Sequence, residues 1–168
     1  MNDLMNESIP DLLAISAEEV LETMFFTQVV GIQPDVAAAK QAPEDDCLAV
    51  RLCFLGSAEG AGHGGYLDLE VSLEGAQWIA SSFLAAEEGA VETSKVADVI
   101  CELTNVVCGN IVSNIASEAG FTMLSPKVLS PESDPGSSSE WLHAACYERS
   151  FQLERGWLTL RLKLASAP

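Results

Sequence analysis

Basic residues are scarce in this chain: eight Lys and Arg stand against 25 Asp and Glu, for a formal net charge of −17. Nucleic acid and anionic lipid both require a positive surface, so neither is expected as a partner. A surface this acidic either keeps the protein soluble or steers the basic face of a protein partner. Histidine is nearly missing. The two present, His63 and His143, have no Cys or acidic residue at metal-ligand spacing, so a zinc site is not expected. Five cysteines, Cys47, Cys53, Cys101, Cys108 and Cys146, are odd in number and show no CxxC spacing. They read as reduced core thiols of a cytoplasmic protein rather than as a disulfide framework. The opening MNDLMNESIPDLL lacks the basic start and unbroken apolar run of a secretory signal, and no apolar segment approaches the roughly 20 residues that cross a bilayer. The expectation is a soluble cytoplasmic chain without membrane contact. The glycine-rich stretch GSAEGAGHGG contains neither GxxxxGK[ST] nor GxGxxG, so its glycines serve turn geometry rather than a phosphate cradle.

What is present is apolar content: 48% of 168 residues, enough to bury one full core in one domain. Residues 1–14 are polar and contain a proline, and read as a flexible arm ahead of a single domain over 15–168. Ser16-Ala-Glu-Glu19 has capping-box spacing and starts a first helix, with Val20, Leu21, Met24 and Phe25 on one face until Gly31 and Pro34 end the pattern. Residues 35–46 read as a loop. CLAVRLCFL from Cys47 and the alternating YLDLEVS form a β-hairpin across the glycine-rich turn, and LEGAQWIASSFL from Leu73 is a helix, with Trp78 in a core or dimer contact. Beyond a second long helix, FTML and KVLS flank Ser-Pro, and ESDPGSSSE is a solvated loop. WLHAACYERSF and WLTLRLKL make another antiparallel hairpin around Arg155-Gly156. This order predicts an α+β fold, an antiparallel β-sheet with long helices packed on one face.

The second long helix, VADVICELTNVVCGN, is where polar residues interrupt the apolar pattern at a telling spacing. At about 100° per residue, Asp98, Glu102, Asn105 and Gly109 fall at i, i+4, i+7 and i+11 and form one row on one face. Val96, Ile100, Leu103, Val107 and Ile111 take the opposite, buried side. Two acids, a carboxamide and a bare turn make a ridge that another protein could approach closely. Asn110 and Asn114 lie toward the buried side, where they would satisfy hydrogen bonds. Cys101 and Cys108 flank the row without a His or Lys neighbour, which makes them poor nucleophiles.

The row Asp98-x3-Glu102-x2-Asn105, followed by Gly109-Asn110, resembles the motif of the CheC/CheX family of chemotaxis phosphatases, in which Asp or Ser is followed after three residues by Glu and after two more by Asn. Chain length, the opening helix SAEEVLETMFF and Pro126 soon after the motif helix are also similar to CheX-like proteins, so that the likeness spans the chain from about Ile15. The resemblance implies a fold of pseudo-duplicated halves, a homodimer, and hydrolysis of the phospho-aspartate of a CheY-like response-regulator receiver domain. It also implies that Glu102 and Asn105 are catalytic, that Asp98 and Gly109 bind the partner, and that the chain needs no metal or cofactor of its own, because the receiver brings Mg²⁺ and a lysine. By the same analogy Glu102 pairs with that lysine. A carboxamide neither takes nor releases a proton near neutral pH, so Asn105 is suited to holding the attacking water in line.

Setting EEVLETMFFTQVV against DVICELTNVVCGN places Glu18 on Asp98, Glu22 on Glu102, Phe25 on Asn105 and Val29 on Gly109. The two helices read as copies of which only the second carries a working row, since a phenyl ring cannot orient water. The alternative is a module that binds a phosphorylated receiver, or another signalling protein, through the same ridge without catalysis. The β-rich C-terminal third supports dimerisation independently, because its strand edges would otherwise lie exposed.

Overall fold

Leucine-rich strands with alternating burial set the architecture of the chain in a computed structural model, which describes residues 3–33, 47–56, 64–115, 120–130 and 144–165. The elements run α1 (Asp3–Met24), β1 (Val29–Gln33), β2 (Cys47–Gly56), β3 (Gly64–Ser72), α2 (Leu73–Leu84), α3 (Thr93–Ile115), β4 (Phe121–Met123), β5 (Lys127–Val128), β6 (Ala145–Leu153) and β7 (Trp157–Leu164). One antiparallel sheet has the order β1-β6-β7-β3-β2-β4, with β5 also on β2. Leu67 and Leu69 of β3 and Leu160 and Leu162 of β7 face the core at zero exposure, and the helices cover them. The α+β arrangement expected from the sequence is the one observed.

The strand order is symmetric about its centre. Taken as α1-β1-β2-β3 and α3-β4-β6-β7, each half supplies a long hairpin, and the two hairpins join through β3 and β7. Each half's short strand crosses over: β1 pairs with β6, and β4 and β5 pair with β2. Helices α1 and α3 pack on one another, and α2 has no counterpart among the described residues. The expected pseudo-duplicated halves are thus visible in the topology.

Several expectations require correction. The first helix begins at Asp3 rather than Ser16, because Ile9, Leu13, Ala17 and Val20 continue one buried stripe upstream through Pro10. Residues 3–14 are therefore helix and not a loose arm. Ser16 sits inside that helix, 1% exposed, and its hydroxyl donates to Asn110 Oδ1 at 3.3 Å, so it ties α1 to α3 instead of capping. The helix stops at Met24, Phe26 turns the chain at φ 52°, and β1 follows where the sequence suggested continuing helix. Met24 points outward. Strands β6 and β7 are interior, so among the described strands the edges are β1 on one side and β4 with β5 on the other. Among the cysteines only Cys108 is buried; Cys146 is exposed, and Cys47, Cys53 and Cys101 are intermediate. Period-two strands send Cys47, Cys53 and Cys146 to the sheet face turned away from the described helices, which runs of apolar sequence did not reveal. By length and mean hydropathy α3 is apolar enough to cross a bilayer, contrary to the sequence reading, but half of that window is buried inside the fold. The loop 35–46, most of the glycine-rich turn, ESDPGSSSE, His63 and His143 lie outside the described residues.

Four of the eight cations have acidic partners within the chain, two of them on the sheet face turned away from the described helices. Arg51, Asp68, Arg161 and Glu148 lie in register across β2, β3, β7 and β6. Arg51 donates from Nε and Nη2 to both carboxylate oxygens of Asp68 at 2.6 Å, and Arg161 Nε donates to Glu148 at 2.7 Å. Arg149 reaches Asp11 on α1, and Arg155 lies near both Glu74 and Glu88.

Ser72 joins the second hairpin to α2. Its hydroxyl accepts from Gly75 N–H, capping α2, and from Trp157 N–H across the sheet. Gly156, at φ 74°, permits this, because a Cβ there would collide with that same hydroxyl. Replacing Gly156 with Ala should therefore cost about 1–3 kcal/mol. A urea midpoint that does not fall, measured at unchanged m value, would contradict this account of the turn.

Candidate functional site

Helix α3 turns its polar row outward because its other side is wholly occupied. Val96, Ile100, Leu103, Val107 and Ile111 are all buried at 5% exposure or less, as the spacing predicts. Thr104, also buried, satisfies its hydroxyl by donating to the Ile100 carbonyl at 2.8 Å. Asp98 and Glu102 are exposed and Asn105 is half-buried. All three line one groove of about 360 Å³, whose other wall is Met123, Leu124, Ser125 and Pro126, with Cys101 completing the helix side. No hydrogen bond or ion pair engages the side chains of Asp98, Glu102 or Asn105 among the described residues. The helix wall is therefore acidic and amide-bearing, and the strand wall is largely apolar.

Gly109, the fourth member of the row, lies one turn beyond the groove. A Cβ built there would stand 3.5 Å from Met123 Cε and 3.9 Å from its sulfur. Met123 of this same chain thus borders its bare surface on one side, and Gly109 stays partly exposed. Asn110 accepts from Ser16 on α1, as a buried-side asparagine was expected to do, whereas Asn114 is exposed and donates to the carbonyl and side chain of Asn110.

Sequence reasoning named the helix wall and missed the strand wall. The available signal was the interruption of FTML and KVLS by Ser-Pro. Two short β pieces broken by a proline suit a bulged edge strand.

The thiols beside the row are weak nucleophiles. Burial, and after it the charge of Asp98, pushes the Cys101 thiol up. Burial, with a smaller contribution from Cys53, pushes Cys108 up to about 12. Both therefore stay protonated near neutral pH. Among the described residues no group of three or more His, Cys, Asp or Glu side chains is placed to hold a metal ion.

The first helix presents a different set of side chains at the matched positions. Glu22 is exposed on α1, but Phe25, set against Asn105 in the internal comparison, is fully buried just past the helix end, where it stacks on Phe83 at 4.7 Å between ring centroids. A core aromatic stands where α3 presents its amide.

The family model described as "Chemotaxis phosphatase CheX" matches residues 55–139, half of the chain and the segment that holds both groove walls. The chain belongs to the CheX family. Solved CheX structures share its fold. The CheX of a CheX–CheY–BeF3–Mg²⁺ complex from Borrelia burgdorferi superposes at TM-score 0.67 with 15% identity, covering 93% of this chain and 97% of that one. CheX from Vibrio vulnificus gives 0.68 with 21% identity over 92% and 94%, and CheX from Desulfovibrio desulfuricans gives 0.66 with 15% identity over 93% and 98%. No curated protein matches the sequence. At these identities the solved CheX structures speak for the fold alone, and the side chains of the groove must carry the argument for chemistry.

The fit of Met123 on Gly109 yields a test with opposite signs. Gly109→Ala should be neutral or stabilise by up to about 1 kcal/mol, since helix-interior Gly is unfavourable and the added methyl meets only ordinary contact. Gly109→Leu should displace Met123 and cost about 1–3 kcal/mol through overpacking. Chemical denaturation in which Gly109→Ala destabilises, or Gly109→Leu does not, would refute the contact.

Proposed function

We propose that this chain hydrolyses the aspartyl phosphate of a CheY-like receiver domain, with Glu102 docking the receiver and Asn105 positioning the attacking water. The observation that carries the reading is the groove itself: a carboxylate and a carboxamide, one turn apart and without partners of their own among the described residues, face the same open volume. Water attacks phosphorus, the bond between phosphorus and the aspartyl oxygen breaks, and carboxylate and phosphate leave. In a loose transition state the largest task left to the protein is alignment, which a neutral amide performs without exchanging a proton. Glu102 suits a lysine of the receiver through a charge-assisted contact, and Asp98, a turn earlier, adds negative charge at the same mouth. Mg²⁺ belongs to the phosphorylated receiver as substrate. In this reading the chain supplies no metal. A complex of CheX with CheY from Borrelia burgdorferi supports the choice of partner.

The roles separate in kinetics. Glu102→Ala should weaken binding of a beryllofluoride-loaded receiver by about 1.5–3 kcal/mol, the scale of a hydrogen bond to a charged group. Asn105→Ala should leave that affinity nearly unchanged and lower single-turnover hydrolysis by about 100-fold or more, a loss confined to the transition state. Glu22→Ala is the control and should change neither. The assay uses protein shown by elemental analysis to carry no stoichiometric metal. If Asn105→Ala greatly weakens binding while the saturated complex still turns over at the wild-type rate, the groove is a recognition surface and the catalytic assignment fails.

A homodimer completes the proposal. The β1 edge exposes Val30 at 60% and Ile32 at 43%, an apolar strand edge of the kind that a second copy covers. Light scattering that finds a monomer at tens of micromolar would reject it.

A further inference from the structure

The strand wall of the groove has its own construction. Met123 lies opposite Phe54 and Lys127 opposite Arg51 on β2. Between these pairs the outer chain has Leu124, Ser125 and Pro126, where β2 has only Leu52 and Cys53. One extra residue makes this a bulge in an edge strand, the device that re-aims side chains beside functional sites. The bulge is fastened at its start, where Leu124 N–H bonds to the Cys53 carbonyl at 2.9 Å. The chain beyond it is held by the pairing of Lys127 and Val128 with β2 and by Leu129 N–H on the Ala49 carbonyl at 2.8 Å. Behind it, Phe121 packs edge-on against Phe54 at 5.7 Å and Met123 rests on Gly109. A strand held this firmly nevertheless leaves Leu124 46% exposed at the lip of the groove, directly across from the acidic wall. The fold gains little from burying only half of a leucine.

We infer that Leu124 is a docking residue that helps decide which receiver the site accepts, by meeting an apolar side chain beside the receiver's phosphorylation pocket while Glu102 takes a cation on the other side. This rests on the proposed function and deepens it. The groove's two walls differ in chemistry, so a fitting partner carries a basic group and an apolar group on opposite sides of its reacting phosphoryl. The leucine acts in binding alone, because it has no polar atom to offer the transition state. Being held in advance by the bulge, it loses little conformational freedom on association.

The experiment measures binding and saturated single-turnover hydrolysis for the wild type, Leu124→Ser and Leu124→Met, using receiver domains from the same genome in beryllofluoride–Mg²⁺ and phosphorylated forms. Leu124→Ser should weaken binding about tenfold or more without slowing the saturated complex, and Leu124→Met should restore most of the affinity. An unchanged thermal melt establishes that Leu124→Ser folds. Unchanged affinity in Leu124→Ser, or a slowed saturated step with affinity preserved, overturns the inference while leaving the phosphatase reading intact. If the wild type binds a receiver without hastening its dephosphorylation and Leu124→Ser still weakens binding, the docking role stands and the phosphatase reading falls. Failure of the wild type to bind any receiver overturns both.

Discussion

The rotation of α3 about its own axis is the constraint on which the rest of the site depends. Five apolar side chains, Val96, Ile100, Leu103, Val107 and Ile111, fill one side of the helix against the core. Fully burying each contributes about 1.5–3 kcal/mol, so turning the helix by one residue, about 100°, would forfeit on the order of 10 kcal/mol. Net stabilities of whole domains are of that size. The outward bearing of Asp98, Glu102 and Asn105 is thus fixed by residues that never touch a partner. The Ser16 to Asn110 hydrogen bond fastens the same helix to α1 from a third direction.

Electrostatics follows from the same economy of cations. With eight basic side chains in the chain, the sheet places Arg51 and Arg161 on Asp68 and Glu148, and Arg149 and Arg155 lie beside acids elsewhere. Lys95 and Lys127, exposed and close in sequence to the two walls, make no ion pair with Asp98 or Glu102 among the described residues, and the groove keeps a negative wall facing solvent. Such a wall favours encounter with a basic face, strongly at low salt and less so as ions screen it.

How much of this could be read from the residues depended on whether the determinant was local. Leu73–Leu84 and the two hairpins follow from short-range periodicity, and the structure has them where alternation and helical spacing put them. The row on α3 was legible for the same reason, since one helix fixes the relative bearing of residues along it. The start of α1 was not. Asn, Glu, Ser and Pro suggested a frayed arm, and only the long-range contacts of Ile9 and Leu13 with the core make that stretch helix. Ser16 misled in the same way: three residues ahead of Glu19 it has the signature of a cap, yet its partner is 94 residues away. The strand wall of the groove was hidden because a bulge is defined by counting against a partner strand, and the register of β4 and β5 on β2 is written in neither segment alone.

The exchange of short strands between the halves bears on what half of this molecule could be. The α1 half keeps its long hairpin but finds its edge strand on β6, and the α3 half finds its own on β2. A peptide of either half alone would present a two-stranded ribbon with a naked flank and a loose strand with nothing of its own to pair with, below the three strands that make a sheet independently stable. Two copies of one such peptide, each lending its loose strand to the other, would rebuild the observed strand order. A symmetric ancestor of that kind would carry two identical helix rows. In the present chain only one such row faces out among the described residues: at the matched position just past α1 Phe25 stacks on Phe83, whereas Asn105 of α3 lines the groove.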